Sequence, residues 1–218
     1  MPFFSNLFRG RKRPVWLFVE GNVGSGKTTV MCQAKDMLSE RGYTVLTLTE
    51  NVDRWKEQHL LTDMYASDLN RSSVRAFQVL GCLRDHIERE KYLRAHGEKF
   101  DVIIQERHPS TTLEAFSADS CVCEMYDLLN VGTFIPQHSI YLKTNAEECL
   151  RRVKSRKRRG EHNINLRYLR HLDTKHEEMM ARRLNEGGNV YEICTANLSN
   201  VETAARVCDV ITGKIFLT

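Results

Sequence analysis

The sequence contains no apolar run of the length that a membrane-spanning helix requires. It also lacks internal repeats, low-complexity tracts and any stretch with the composition of a linker. These absences argue against a membrane-spanning or repeat protein and favour one domain over two for 218 residues. With 41% hydrophobic and 28% charged residues, the composition is typical of a soluble globular protein with one sizeable core.

The cysteines offer no disulfide framework and no obvious zinc site. There are seven, an odd number, and none forms a Cys-x-x-Cys pair. Cys121 and Cys123 lie close together but lack the second pair that would complete a zinc site. We therefore expect reduced thiols and an intracellular protein, in the cytoplasm on the simplest reading, with mitochondrial and nuclear locations left open.

The positive charge is modest and local. The net charge is +4, and the excess lies mainly at 9–13 and 151–159, which does not by itself indicate a nucleic-acid-binding surface. Residues 1–13 contain basic and aromatic side chains and no acid, so we expect a disordered basic leader before a single domain at 14–218. An organelle-targeting segment or a nuclear signal at 9–13 is the alternative.

The most informative stretch that is present is a phosphate-binding pattern, Gly21-x-x-x-x-Gly26-Lys27-Thr28. Its glycines allow a tight turn whose N–H groups point at phosphate oxygens, and a helix that starts near Gly26 adds its positive end. Lys27 is expected to reach the β- and γ-phosphates of ATP, and the Thr28 hydroxyl to ligate Mg²⁺. The expected nucleotide contacts run through the motif: Gly21, Asn22, Val23, Gly24, Ser25, Gly26, Lys27, Thr28 and Thr29.

Strand-like and helix-like segments alternate along the rest of the chain. Apolar, β-branched runs predict five strands, at 15–19, 43–48, 100–104, 138–142 and 190–194. Helical periodicity predicts helices at 30–38, 60–65, 74–93, 111–129, 146–153, 166–184 and 201–210. Strands separated by helices imply an α/β fold, with a five-stranded parallel sheet covered by helices on both faces.

Charged side chains follow two of these strands. Glu50 comes after the second strand, and Glu106 and Arg107 end the third. In a parallel sheet ligands bind beyond the carboxyl ends of the strands, so these residues are expected near the phosphate-binding loop. One carboxylate could hold Mg²⁺, another could orient and deprotonate an attacking hydroxyl, and Arg107 could neutralise charge on a transferred phosphoryl group.

The second basic run, 151–159, follows the fourth strand within a helical pattern. We interpret it as an arginine-rich lid that closes over ATP, as expected for a site that works by positioning and electrostatics. A solvated basic face or a nuclear signal is the alternative.

Taken together, these residues resemble the deoxynucleoside kinases from about Val15 onward. Residues 20–29 are similar to the P-loop of that family, and 50–55 to its Glu-Pro-x-x-x-Trp element with Asn51 in place of proline. Glu106-Arg107-His108 resembles its Glu-Arg-Ser motif. The remaining similar segments are 60–65, Phe77-Gln78, the lid at 156–161, Tyr168-Leu169 and 175–177.

The resemblance implies an α/β P-loop kinase that uses ATP and Mg²⁺. In that family the position of Glu50 holds the base near the sugar 5′-hydroxyl, and the position of Arg107 holds the 5′-oxygen and the phosphoryl group. The position of Glu106 serves Mg²⁺ together with Thr28, or accepts the proton. Arg152 and Arg156 would contact ATP phosphates from the lid.

The resemblance also implies the contacts to the nucleoside and the partners. Tyr65 and Glu161 would bind the 3′-hydroxyl, Gln78 would read the base through its amide, and Trp55 would line the base pocket. A small-molecule deoxynucleoside and a second copy of the chain, in a homodimer, are the implied partners; neither a membrane nor a specific nucleic acid is.

The base preference is a finer prediction. Deoxycytidine-preferring members of the family read cytosine with an arginine and an aspartate, and those places hold Asp85 and Thr112 here, with Arg84 one position away. Because the pair is absent in its usual form, we expect thymidine, with deoxycytidine as a lesser substrate. The divergent motifs and compact length suggest a virus-encoded member of the family.

Two other functions fit parts of the pattern. A nucleoside monophosphate kinase such as thymidylate kinase would share the sheet and the P-loop but would need further cationic groups for the phosphate of the acceptor. A nucleic-acid-associated P-loop ATPase could use the basic run. The chain lacks the Asn-Lys-x-Asp guanine-reading motif, and aromatic residues do not interleave with the basic run as they do in single-strand binders.

Overall fold

The computed structural model describes residues 14–50, 72–116, 120–130 and 137–216, with 72–75 as main chain only. The predicted leader, the predicted helix at 60–65 and the side chains of Trp55 and Tyr65 lie outside the described residues.

The centre of the molecule is a five-stranded sheet in which every strand pair is parallel. The strands are β1 (Val15–Gly21), β2 (Val45–Leu48), β3 (Val102–Glu106), β4 (His138–Lys143) and β5 (Asn189–Cys194). Their order across the sheet is β2-β3-β1-β4-β5, so β1 lies between β3 and β4. The α/β class and the five parallel strands predicted from the sequence are confirmed.

Seven α-helices connect the strands within the described ranges. They are α1 (Lys27–Glu40), α2 (Ser72–His96), α3 (Pro109–Phe116), α4 (Ser120–Leu129), α5 (Ala146–Arg156), α6 (Leu166–Asn185) and α7 (Asn200–Val210). The stretch 111–129, predicted as one helix, contributes to two, α3 and α4. A π-helical turn at Ile211–Ile215 continues α7 and was not predicted.

Helices cover both faces of the sheet because successive side chains of a strand point to opposite faces. On β1, Leu17 and Val19 pack with α1 and α7 on one face. Trp16 and Phe18 pack with Ile103 and with Leu93 of α2 on the other. Both faces of β1 are therefore buried, which explains why its sequence is a continuous apolar run rather than an alternating one.

None of the helices in the described part of the chain combines the length and apolarity that crossing a bilayer demands.

Candidate active site

The phosphate-binding loop joins β1 to α1, and its glycines are required by close approach as well as by backbone angle. Gly21, Gly24 and Gly26 have φ values of 146°, 87° and 94°. A Cβ on Gly21 would lie 2.7 Å from the carbonyl oxygen of Leu142, and one on Gly24 would lie 2.6 Å from that of Cys149. The loop is thus packed directly against the end of β4 and against α5.

Lys27 is buried and folds back over the loop. Its Nζ donates to the carbonyl oxygens of Gly21 at 3.0 Å and Asn22 at 2.9 Å. Burial, reinforced by the positive charge of Arg107, lowers the pKa of Lys27 to about 8. An ammonium group that donates to carbonyl oxygens at the loop is well placed to bind an anionic ligand such as a phosphate.

The ends of three neighbouring strands bring the predicted reactive residues together. Thr28 Oγ1, at the start of α1, donates to the Glu106 carboxylate at 3.1 to 3.2 Å. Arg107 Nη1 lies 3.2 Å from both oxygens of Glu50, which follows β2. Arg107 Nη2 donates to the carbonyl oxygen of Gly21 at 2.9 Å. The guanidinium of Arg107 therefore links the P-loop, which follows β1, to the carboxylate of Glu50, which follows β2.

The two carboxylates of this cluster have different surroundings. Burial, followed by the charge of Glu50, raises the pKa of Glu106, while Lys27, Arg107 and the Thr28 hydroxyl oppose the rise. Glu50 is bound by Arg107 on both oxygens and keeps 11% side-chain exposure. Of the two, Glu50 is the more accessible to a ligand that enters from solvent.

Glu106 and Thr28 also have the chemistry of a magnesium site. Their oxygen atoms are adjacent and partly buried at the mouth of the loop. Mg²⁺ typically takes one or two carboxylates and completes its shell with substrate phosphates and water. No cluster of three or more His, Cys, Asp or Glu ligands occurs among the residues the structure describes, so the protein share of such a shell there is small.

A pocket opens beside this cluster on the side of α2. Its floor is formed by Glu50, Glu106 and Arg107, and its wall by three residues of α2 at helical spacing, Cys82, Asp85 and Arg89. The remaining described lining residues are Gln105, Pro109 and Thr112. We name this the acceptor pocket.

Four of its lining residues were not predicted as site residues from the sequence: Cys82, Arg89, Gln105 and Pro109. Arg89 Nη2 donates to the carbonyl oxygen of Thr49 at 2.6 Å, which fixes the main chain next to Glu50. The spacing of Cys82, Asp85 and Arg89 on one face of a long helix was the available signal. Gln78 is buried one turn earlier on α2, and it is not among the described residues that line the acceptor pocket.

The predicted lid is the C-terminal part of α5 and the turn after it. Arg152 donates to the carbonyl oxygen of Ser25 in the P-loop at 3.1 Å and is held by Glu148 at 2.7 Å. The side-chain hydrogen bond from Arg151, with those from Arg152, lowers the pKa of Glu148 to about 2.

Further along the lid, Arg156 and Glu161 form a bidentate pair, with N–O distances of 2.7 and 2.6 Å. Arg158 adds a contact to Glu161 at 3.3 Å. The sequence assigned Arg156 to ATP and Glu161 to the sugar. In this structure they bind each other, through Nε and Nη2 of Arg156 and both carboxylate oxygens of Glu161.

A comparison with protein families identifies the family of the chain. The family model "Deoxynucleoside kinase" matches residues 17–212, which is most of the chain. The chain therefore belongs to the deoxynucleoside kinase family and is a kinase.

Individual relatives are distant. The chain is 28% identical over 172 residues to a protein named as a kinase, 143R, of Invertebrate iridescent virus 6, covering 75% of this chain and 80% of the relative. It is 22% identical over 200 residues to the deoxyguanosine kinase of Dictyostelium discoideum, covering 85% and 65%. A solved structure of deoxyadenosine kinase from M. mycoides, with dCMP and dCDP, superposes with a TM-score of 0.67 at 17% identity. That superposition covers 91% of this chain and 99% of the other, and it supports the fold.

Proposed function

We propose that the protein transfers the γ-phosphoryl group of ATP to the 5′-hydroxyl of a deoxynucleoside. The observation that carries the proposal is the position of Arg107, whose guanidinium contacts both Glu50 at the acceptor pocket and the Gly21 carbonyl of the P-loop. A group that moves from one site to the other would pass this guanidinium.

The donor is held on the loop side. Lys27 exchanges its carbonyl partners for the β- and γ-phosphates, and Arg152, already at the Ser25 carbonyl, adds positive charge from the lid. Thr28 and Glu106 are the proposed ligands of a Mg²⁺ ion, which would neutralise phosphate charge when bound. Fixed positive groups around the phosphates are the main source of rate in phosphoryl transfer.

The acceptor is held on the pocket side. Glu50 orients the 5′-hydroxyl and takes its proton, and Arg107 binds the 5′-oxygen and the developing phosphoryl charge. Glu106 is the alternative proton acceptor, although its hydrogen bonds with Thr28 favour a role at the proposed Mg²⁺ site. Glu161 is proposed to bind the 3′-hydroxyl, with Tyr65, Trp55 and Gln78 completing the nucleoside site.

Thymidine is the proposed acceptor, with deoxycytidine as a lesser one. Support comes from Asp85 and Thr112, which line the acceptor pocket where deoxycytidine-preferring members of the family carry an arginine and an aspartate. Two of the relatives are named for deoxyguanosine and deoxyadenosine, so purine deoxynucleosides belong in the test.

A nucleoside monophosphate kinase is the second candidate. Arg89 supports it, because it brings to the acceptor pocket a cation beyond Arg107, and an acceptor phosphate needs such a group.

We also propose a homodimer, a domain at 14–218, an intracellular location and a viral origin. Light scattering tests the homodimer, because the mass of one chain is 25.3 kDa.

One panel assay tests the function. Purified protein is incubated with Mg²⁺, labelled ATP and each of the four deoxynucleosides or thymidylate. The proposal expects a deoxynucleoside 5′-monophosphate, with thymidine the best acceptor. Phosphorylation of thymidylate alone would favour the second candidate, and deoxyguanosine without thymidine would overturn the base preference.

A further inference from the structure

A buried ion pair lies behind the turn that carries Arg107, and none of the roles above uses it. Glu20 precedes the P-loop on β1 and is fully buried, and Arg183 comes from the last turn of α6 with 15% side-chain exposure. Arg183 Nη1 lies 3.1 Å from Glu20 Oε1. Neither is among the described residues that line the acceptor pocket.

Glu20 fixes the main chain of the acceptor turn, by which we mean residues 107–110. The same oxygen, Oε1, accepts from the backbone N–H of His108 at 3.0 Å and from the Thr111 hydroxyl at 2.8 Å. The constraint matters because Arg107 has a φ of 53°. Adopting that left-handed region costs a residue with a Cβ about 1–2 kcal/mol, so contacts with neighbouring residues must hold the turn there.

Arg183 joins three elements through one guanidinium. Besides Glu20, Nη1 donates to Ser139 Oγ on β4 at 2.9 Å. Nη2 donates to the Thr111 hydroxyl at 2.7 Å and reaches Ser110 Oγ at 3.4 Å. The planar fork of an arginine satisfies this set of acceptors from one position, whereas the single ammonium of a lysine does not.

Glu20 and Gly21, which are consecutive residues at the end of β1, both bind the acceptor turn. The Glu20 side chain binds the N–H of His108, and the Gly21 carbonyl accepts from the Arg107 guanidinium at 2.9 Å. We propose that Arg183 is a positioning residue that, through Glu20 and Thr111, holds the acceptor turn so that Arg107 faces Glu50 and the P-loop. The catalytic part of this inference rests on the proposed function.

The first test compares Arg183→Met with Arg182→Met. Arg182 is the matched control, because it is the neighbouring arginine on α6 and its side chain, 53% exposed, pairs with Glu114 at the surface. Arg183→Met should lower kcat by about 10- to 100-fold, the scale of a small misplacement of a reacting group, with little change in KM for ATP. Arg182→Met should leave kcat within about twofold, and Arg183→Lys should fall between the two.

A double-mutant cycle separates positioning from general stability. If Arg183 acts through Arg107, Arg183→Met should cost little further turnover in an Arg107→Met background. A purely structural role would lower turnover by the same factor in both backgrounds and would overturn the inference. Should Arg183→Met fail to fold, Arg183→Lys carries the same cycle.

Amide hydrogen exchange at His108 in the nucleotide-free protein gives a readout that does not need activity. Exchange should be about tenfold faster or more in Arg183→Met, because the acceptor of that N–H loses its fixed position, and unchanged in Arg182→Met. Unchanged exchange in Arg183→Met contradicts the inference. If the wild-type protein phosphorylates no deoxynucleoside, the proposed function fails while the exchange measurement still decides whether Arg183 holds the turn.

Discussion

At the scale of single residues, the site separates two carboxylates that the sequence placed in similar positions. Glu50 follows β2 and Glu106 ends β3, yet Glu106 is hydrogen-bonded to Thr28 of the P-loop whereas Glu50 is bound by Arg107. Burial raises the pKa of Glu106. These contacts support the proposal that Glu50 binds the hydroxyl of the acceptor and that Glu106 binds Mg²⁺.

The first prediction concerns Glu50. Glu50→Gln keeps the size of the side chain but removes the base, so turnover should fall by about a hundredfold or more. Binding of the nucleoside should be largely retained, because the amide still hydrogen-bonds. Steady-state kinetics and calorimetric titration with the nucleoside measure the two effects, and unchanged turnover would remove Glu50 from the role.

A second prediction concerns His176, which is buried on α6 and stacks against Tyr141. Burial, together with the charge of Arg107, lowers the pKa of His176 from 6.5 to about 3. Between those values the unfolded chain binds a proton that the native chain does not. The free energy of unfolding therefore decreases as pH falls through this window, with His176 contributing about 2 kcal/mol of the loss by pH 5.

Urea unfolding near pH 7.5 and near pH 5 measures this loss. His176→Gln should reduce the difference between the two pH values, whatever its effect on stability at either one. His171→Gln, on the exposed face of the same helix, is the matched control and should keep the wild-type difference. An equal difference in wild type and His176→Gln would show that His176 is not the group responsible.

At the scale of elements, the P-loop depends on glycine for two separable reasons. Gly24 and Gly42 have nearly the same φ, 87° and 88°, but a Cβ on Gly24 would meet the Cys149 carbonyl at 2.6 Å, whereas one on Gly42 meets nothing within 4 Å. Alanine at either position suffers the left-handed strain of about 1–2 kcal/mol. Only Gly24→Ala adds a steric clash, which we expect to cost about 1–3 kcal/mol more.

Urea unfolding of Gly24→Ala and Gly42→Ala tests this third prediction. Because the backbone strain is nearly the same in both variants, the difference between their free energies of unfolding reports the clash, and Gly24→Ala should be the less stable. If the two variants are equally stable, α5 is not packed against the loop as described.

The lid helix gives a fourth prediction. Glu148 holds Arg152 at the P-loop, so Glu148→Gln should release Arg152 and raise KM for ATP several-fold, by about 0.5–1.5 kcal/mol of lost binding. Glu147→Gln is the control, because Glu147 pairs with the exposed Arg170 on α6 instead. A KM for ATP that moves equally in both variants would argue that Glu148 acts only through the stability of α5.

Most elements could be predicted because apolar periodicity and the P-loop pattern fix them locally. The convergence of Glu50, Glu106 and Arg107 followed from the rule that strand ends share one edge of a parallel sheet. Glu20 and Arg183 could not be assigned this way, because their partners lie far away in the sequence. Arg156 and Glu161 could be placed in the lid, but their pairing with each other depends on side-chain geometry that no spacing reveals.

At the scale of the whole molecule, the sheet order explains why Glu50, Glu106 and Arg107 meet the P-loop at one edge of the sheet. With β1 between β3 and β4, the P-loop lies next to the end of β3, and β2 brings Glu50 from beyond it. Helix α2 then closes the acceptor pocket on one side, and α5 and α6 reach the P-loop through Arg152 and through the Leu169 carbonyl, which accepts from Asn22. The P-loop and the pocket are therefore both built at the carboxyl ends of the sheet strands.

We propose that phosphate moves from ATP to the 5′-oxygen held between Glu50 and Arg107. The most direct test follows the reaction by ³¹P NMR with Mg²⁺-ATP and the best deoxynucleoside of the panel, beside its 5′-deoxy analogue. We predict a deoxynucleoside 5′-monophosphate from the first and no phosphorylated product from the second. Phosphate on another oxygen, equal phosphorylation of the analogue, or release of inorganic phosphate alone would contradict transfer to the 5′-oxygen.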